Sequence, residues 1–305
     1  MQRMILPLVL ALGGLAAMPA FSNADVIVAG FAESSILRYA DDGTPLDPIV
    51  PPGGISGVVG PAGVTLGPDG FLYVSNQTSV FVMGAPDSIV QVDPASGEVT
   101  PFITLTSGYV PAGLAFGTDG NLYVCRNGGQ SAPPGSGSVD CYDGMSGTPI
   151  GSVVTGLSQP TSLLFDSGSN LYISNFGEGD IVQYDGTSAT VLVPTFSGGL
   201  VSPAGLRFGP DGNLYVVDLL VGAVRSYDPA SGASLGDFIA AGGALNNEFP
   251  SDLLFDPDGN LLVADLGSDF TMPTGNVKAF DASGGFAGDF ADGIFGASQL
   301  LYLTK

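Results

Sequence analysis

The sequence predicts an all-β protein, a six-bladed β-propeller with four-stranded antiparallel blades, and three observations carry that prediction. The stretch PAGLRFGPDGNLYVVD (203–218) has four near-copies: PAGVTLGPDGFLYVSN (61–76), PAGLAFGTDGNLYVCR (111–126), PTSLLFDSGSNLYISN (160–175) and PSDLLFDPDGNLLVAD (250–265). The prolines that open them, Pro61, Pro111, Pro160, Pro203 and Pro250, stand 50, 49, 43 and 47 residues apart. The two ends of the chain supply the pieces of one further copy. No stretch sustains a helical period, so almost no helix is expected.

Each copy reads as a short apolar strand, A, then a tight turn and a second strand, B. Alternating apolar residues on both sides of Asp-Gly are a strong hairpin signal. A third strand, C, follows in SIVQVD (88–93), SVDCYD (138–143), DIVQYD (180–185), AVRSYD (223–228) and NVKAFD (276–281). A second turn, DPASG at 93–97 and 228–232, leads into strand D, as in EVTPFI (98–103) and SLGDFI (234–239). Near the start, DVIVAG (25–30) matches strand B and SILRYADDG (35–43) matches strand C with its turn; near the end, ASQLLYLTK (297–305) matches strand A. The segments 25–60 and 297–305 together make about one repeat. One domain over 25–305 is therefore expected. Its ring is closed by strand A (297–305) joining strands B to D from 25–60, which removes exposed sheet edges.

The first residues read as a secretory signal. Arg3 precedes an apolar run from Met4 to Ala17, Pro19 breaks the run, and Ser22-Asn23-Ala24 offers small residues for cleavage. Cleavage is expected after Ala24, giving a mature chain that begins at Asp25 and works outside the cell or in a periplasm. The run is too short to span a membrane.

The chain carries 29 acidic and 7 basic residues, a net charge of −22, and no histidine. A field of that sign repels nucleic acid and anionic membrane surfaces. Many of the acids, among them Asp69, Asp119, Asp211 and Asp258, fall in turns, where Asp accepts bonds from its own backbone. The two cysteines, Cys125 and Cys141, lie on neighbouring strands of one repeat. In an exported protein they suggest a disulfide, closing a loop for roughly 3 kcal/mol; two small buried thiols are the alternative.

The strand assignment orients the molecule. A–B and C–D connections fall on one face as short Asp/Gly turns. B–C and D–A loops fall on the other, and the B–C loops vary widely: QTSVFVMGAPDS (77–88), NGGQSAPPGSG (127–137), FGEG (176–179), LLVG (219–222) and LGSDFTMPTG (266–275). Variable loops on a rigid scaffold are where binding residues concentrate. A site is expected on that face, near the mouth of the central channel. The tyrosines Tyr73, Tyr123, Tyr172 and Tyr215 recur with the repeat and are expected to pack between blades.

The repeat P-x-x-L-x-F-x-x-D-G-N-L-Y-V-x-D…V-x-x-Y-D resembles the NHL repeat and its relatives, the streptogramin lyase-like propellers and the gluconolactonase/senescence-marker-protein family. The resemblance covers nearly the whole mature chain and implies the six-bladed fold. It leaves the activity open, because the shared residues are strand and turn residues. In the gluconolactonase-like enzymes, Asn and Asp one residue past the opening proline, with a Glu from an early blade, hold a divalent cation. Here that column reads Ala62, Ala112, Thr161, Ala204, Ser251 and Ser298, and a hard cation needs more oxygen ligands than three hydroxyls supply. The lyases depend on histidine, which this chain lacks; that also removes a Ser-His-Asp triad. A G-x-S-x-G match at Gly232–Gly236 lies in a C–D hairpin without a histidine partner and reads as chance.

Two sets of polar residues are candidates. The residues that end strand B are Asn76, Arg126, Asn175, Asp218 and Asp265, with Gly30 in the sixth blade. They form either a ring for a cation or polar ligand, or a set of caps for their own B–C loops. Glu178, Asp180, Glu248, Asp252 and Asp269 fall on the same face. They are either solvated surface charge or part of a site, Asp252 being nearest the channel. DPDGN (256–260) is a turn rather than a calcium loop, since its twelfth position is Gly267 instead of Glu. Asn76-Gln77-Thr78 is a glycosylation sequon.

The leading expectation is a secreted, monomeric, non-catalytic module that binds a protein, carbohydrate or small molecule through its B–C/D–A face. Asn76, Arg126, Asn175, Asp218, Asp265, Asp252 and Glu178 are its candidate contacts, and it needs no cofactor. The alternative is a calcium-dependent hydrolase, lactonase or lyase with a relocated site at the channel mouth, its metal held by Asp218, Asp265 and Asp252. A structural or adhesive role is a third class.

Overall fold

The computed structural model describes residues 24–304 except 54–56, 107, 109, 129–132, 247 and 270. The expected signal peptide lies outside the described residues apart from Ala24, which opens the first strand. In chain order the strands are β1 (Ala24–Gly30) and β2 (Ser35–Tyr39), then β3 (Pro61–Leu66), β4 (Leu72–Asn76), β5 (Ser88–Val92) and β6 (Val99–Thr104). The next blade is β7 (Pro111–Phe116), β8 (Leu122–Arg126), β9 (Gly137–Tyr142) and β10 (Pro149–Leu157). It is followed by β11 (Pro160–Phe165), β12 (Leu171–Asn175), β13 (Asp180–Tyr184) and β14 (Ala189–Val193). Then come β15 (Pro203–Phe208), β16 (Leu214–Asp218), β17 (Ala223–Tyr227) and β18 (Ser234–Ile239), and finally β19 (Pro250–Phe255), β20 (Leu261–Asp265), β21 (Gly275–Phe280), β22 (Phe286–Ile294) and β23 (Ala297–Thr304). Helix among the described residues amounts to one turn at Thr78–Phe81 and a 3-10 turn at Ser197–Gly199.

The strands form five consecutive four-stranded sheets and a closing sheet in the order β2-β1-β23. All pairs are antiparallel, including β1 with β23 across the two ends of the chain. The fourth place in the closing blade is held by residues 45–50 through isolated bridges, Ile36 with Val50 and Tyr39 with Pro45. The innermost strands β3, β7, β11, β15, β19 and β23 touch in that order and return to β3. This is the six-bladed propeller.

The core is six apolar layers, one between each pair of neighbouring blades. One layer sets Val139 and Val154 of the second blade against Leu163, Leu171 and Ile173 of the third; another joins Ile27 and Ile36 of the closing blade to Val64, Leu72 and Val74 of the first. The strand-B tyrosines belong to these layers. Tyr73 meets Phe116 at 4.8 Å, Tyr123 meets Phe165 at 4.9 Å, Tyr172 meets Phe208 at 5.3 Å and Tyr215 meets Phe255 at 4.7 Å, each edge to face across the blade boundary. Such pairs add about 0.5–1.5 kcal/mol beyond burial. Their hydroxyls reach the A–B turns, as Tyr215 does to Asp211 at 2.9 Å. Burial, reinforced by that aspartate, pushes the Tyr215 phenol up to about 12.

The turn aspartates hold the opposite rim. Asp211 accepts the Asn213 N–H at 3.1 Å and Asp119 accepts that of Asn121 at 3.1 Å. In the last blade Asp256, not Asp258, takes this part by accepting the N–H groups of Asp258 and Asn260. On the C–D turns Asp93, Asp143, Asp185, Asp228 and Asp281 are all held below the usual carboxylate range by hydrogen bonds from their own turns.

The expected disulfide is not formed: Cys125 and Cys141 are free and buried. The register explains why. Cys141 lies opposite Tyr123 and Cys125 opposite Val139, so the two sulfurs are diagonal rather than directly paired. Diagonal neighbours sit about 7–8 Å apart, beyond the usual span of a disulfide. Cys125 fills the layer between the second and third blades, and burial raises its thiol well above the ordinary value.

Candidate functional site

The opening of each inner strand builds the site. Pro61 pairs with Asn76 and Gly63 with Ser75, so Ala62 is an extra, unpaired residue; the same slip follows Pro111, Pro160, Pro203 and Pro250. A bulge of this kind re-aims a side chain. Here it turns Ala62, Ala112, Thr161, Ala204, Ser251 and Ser298 into the mouth of the central channel, where all six line a cavity of about 270 Å³. The rim is completed by Phe31, Gln77, Asn127, Leu219 and Leu266, each one residue past a strand-B end. Ser162, Gly205, Asp252 and Gln299 line it as well, one position beyond the bulge. Where the equivalent position is glycine the strands approach too closely for a side chain: a Cβ on Gly63 would lie 2.6 Å from the Ala112 carbonyl oxygen, one on Gly113 2.7 Å from that of Thr161, and one on Gly205 2.5 Å from the Asp252 Cα.

The ring hydroxyls tie blade to blade. Ser298 Oγ donates to the Pro61 carbonyl at 2.7 Å, Ser251 Oγ to that of Ala297 at 2.7 Å and Thr161 Oγ1 to that of Pro203 at 3.3 Å. Gln77 Nε2 does the same to Pro111 at 2.8 Å. With their hydrogens directed to the neighbouring blade, these groups present oxygen lone pairs to the cavity.

Asp252 is 1% exposed and is the one carboxylate that lines this cavity. Its Oδ2 accepts Arg207 Nη2 at 2.9 Å and the Leu300 N–H at 3.0 Å; its Oδ1 is buried against Gly205. Burial raises its carboxyl, while Arg207 and the N–H groups of Leu300 and Leu253 oppose the rise.

The strand-B column lies just behind this mouth, and its members act singly. Asn76 Oδ1 accepts the Val59 N–H at 3.2 Å and Asn175 Oδ1 that of Ser158 at 2.7 Å. Asp218, fully buried, accepts the N–H groups of Val201 and Ser202 at 3.1 and 3.0 Å and the Arg225 Nε at 2.9 Å. Asp265 accepts the Phe249 N–H at 2.7 Å. The loop each one caps is the D–A connection entering its own blade, where the sequence pointed to the B–C loop. Arg126 ends β8 half-buried, opposite Pro111 on one side and Ser138 on the other. The sequon is sealed, since Asn76 is buried and its amide nitrogen donates to the Gly57 carbonyl at 2.8 Å.

The acidic set is likewise dispersed. Glu178 accepts Ser158 Oγ at 2.7 Å, Asp180 accepts Asn175 Nδ2 at 2.8 Å, and Asp269 accepts the Thr271 N–H at 2.8 Å. Glu248 sits 3.6 Å from Lys278 Nζ and beside Asp265. Burial, with Glu248 as neighbour, pushes the Asp265 carboxyl up to about 7. Asp218, Asp265 and Asp252, the proposed metal set, stand on separate strands with separate partners. Among the described residues no group of three or more His, Cys, Asp or Glu side chains is placed to hold a metal ion.

The loop face also exposes large apolar side chains. Met83 is 98% exposed and Leu220 62%, and Phe81, Phe196, Phe249 and Met272 are also exposed. Phe81 rests on Phe31 of the cavity rim with ring centroids 5.5 Å apart. The sequence reading passed over both this fringe and the rim. The signal for the rim was one residue away: the period-two alternation that buries Asn76 and Asp218 turns Gln77 and Leu219 to the channel.

No protein-family model matches the chain, and no curated protein matches it. Solved structures match along most of its length. A chain of a nidogen/laminin complex is 18% identical with a TM-score of 0.65, covering 88% of this chain and 93% of that one. A streptogramin B lyase is 12% identical, TM-score 0.61, covering 90% and 83%. A putative gluconolactonase is 14% identical, TM-score 0.50, covering 89% and 79%. At these identities the likeness defines the fold: a six-bladed propeller whose structural neighbours include lyase and gluconolactonase-like proteins. No helix among the described residues is long and apolar enough to cross a membrane.

Proposed function

We propose that the protein is a non-catalytic binding module that engages a ligand or a protein partner through its B–C/D–A loop face, centred on the channel mouth. The observation that carries this reading is the set of exposed large apolar side chains, Phe81, Met83, Phe196, Leu220, Phe249 and Met272, on the loop face that also holds the mouth cavity, with Phe81 packed against Phe31 of its rim. Contiguous exposed apolar surface marks interaction sites on soluble proteins. The propeller found in a nidogen/laminin complex shows that this architecture occurs in protein–protein assemblies. The dispersal of Asp218, Asp252 and Asp265 over separate structural duties speaks against the calcium-dependent hydrolase or lyase, which needs several of those oxygens on one ion. The residues before Asp25 read as a secretory signal, so the proposal places binding outside the cell or in a periplasm.

A thermal-shift screen of small ligands, run beside turnover assays with lactones, esters and lyase substrates with and without calcium, tests this reading. Ligands that raise Tm are expected to lose their effect in Ala62→Phe, which fills the mouth, and to keep it in Asp119→Ala on the opposite rim. Robust turnover abolished by Asp252→Ala or Asp218→Ala in a folded protein overturns it.

A further inference from the structure

The ring hydroxyls of the mouth cavity are chemically one-sided. Ser251, Ser298 and Thr161 give their hydroxyl protons to carbonyls of the next blade, and Gln77 gives an amide hydrogen to Pro111. What these four groups leave for an occupant is acceptor oxygen, while Asn127, Ser162 and Gln299 add amide and hydroxyl groups elsewhere in the lining. Asp252 adds a buried carboxylate at the cavity wall, with one oxygen committed to Arg207 and Leu300. Gly205 lies against its other oxygen, and a Cβ there would come within 2.5 Å of it. Hydrocarbon supplies a large part of the remaining wall: Ala62, Ala112, Ala204, Leu219, Leu266 and Phe31.

Resting on the loop-face reading above, we propose that this cavity takes a small ligand with a primary ammonium head on an apolar body. The head lies among Asp252, Ser251, Ser298 and Thr161, and the body lies against the alanine and leucine wall toward Phe31. An ammonium carries three donors and no acceptor, which complements a set of lone pairs. The chain's net charge of −22 favours a cation over an anion at the same place. A bare divalent ion fits less well, because the single carboxylate is shared with Arg207 and half the wall offers no oxygen.

Isothermal titration of the full chain with n-hexylammonium, n-hexanol, hexanoate and calcium tests the assignment at constant pH and salt. The expected result is that hexylammonium binds about 10-fold or more tightly than hexanol, as a hydrogen bond to a charged group implies, with neither hexanoate nor calcium binding. Ala62→Phe is expected to abolish binding of both hexyl ligands. Asp252→Asn, which keeps the shape and removes the charge, is expected to bring hexylammonium down to the affinity of hexanol. Should that variant unfold, Ser251→Ala with Ser298→Ala serves instead, with a loss confined to hexylammonium. Equal binding of hexylammonium and hexanol to the parent protein overturns the ammonium head while leaving the cavity as a binding site. Calcium that displaces hexylammonium overturns it in favour of a metal site. Failure of every hexyl ligand to bind overturns the cavity as a small-ligand site as well.

Discussion

The two rims of this propeller use the same few residue types to opposite ends. On the turn rim, aspartates such as Asp211 and Asp228 spend their oxygens on their own turns, a pattern repeated from blade to blade, with Met145 and Phe71 exposed among them. On the loop rim the polar groups have withdrawn: Asn76, Asn175, Asp218 and Asp265 are buried one residue behind the mouth, and Met83, Leu220 and Phe196 stand in the open. The difference teaches that a repeat can fix polarity by position. The turn Asp is needed in every blade for the same local reason, so that rim cannot vary. The loop rim is freed from that duty because the caps sit beneath it, and variation accumulates there.

Substitutions on either side of the divide can break or sharpen this contrast. The largest effect is expected at the buried caps. Asp218→Ala leaves the Arg225 guanidinium, 8% exposed, without its buried partner and uncaps Val201 and Ser202. Urea unfolding should show a loss of about 3–5 kcal/mol, and a loss near zero would mean that Asp218 is not structural. Next comes a pH effect at Asp265. Its carboxyl is raised to about 7, so the native state holds a proton that the unfolded chain, titrating near 4, has already released. Stability contributed by that proton is complete below about pH 4 and is lost as pH rises toward 7. Thermal melts across that range should show Asp265→Asn losing less stability than the parent chain.

A smaller loss is expected on the turn rim. Asp211→Ala removes acceptors from Asn213 and Tyr215 and should cost about 1 kcal/mol in urea while leaving any ligand affinity unchanged. The smallest stability effect belongs to the exposed fringe. Met83→Asp with Leu220→Asp should shift stability by about 0.5 kcal/mol or less while weakening binding to the loop face. The free thiols give a separate check: Cys125 and Cys141 should resist alkylation in the folded protein and both label once it is unfolded.

Much of the fold was legible because propeller blades are specified locally. The Asp-Gly turns, the strand alternation and the repeat spacing each demand one geometry, and the matched ends 25–60 and 297–305 demanded closure. The fourth strand of the closing blade is reduced to bridges around Pro45 and Val50, and no local pattern marked that. The cysteine pairing is not legible, because the sequence shows strand adjacency and not register: a shift of two residues separates Cys125–Val139 from a Cys125–Cys141 pair. The site was half legible. Position alone locates the bulged column, but not the duty of its hydroxyls, which donate to carbonyls of neighbouring blades. That duty depends on partners dozens of residues away, which spacing within one repeat does not reveal.

The central claim is that binding belongs to the loop rim. Methyl-resolved NMR of the full chain, titrated with a panel of small apolar fragments, tests it most directly. The methyls of Ala62, Ala112, Ala204, Leu219 and Leu266 around the mouth are predicted to shift together while Met145 on the turn rim stays still. Shifts confined to the turn rim or the outer strands, with the mouth methyls unmoved, would contradict it.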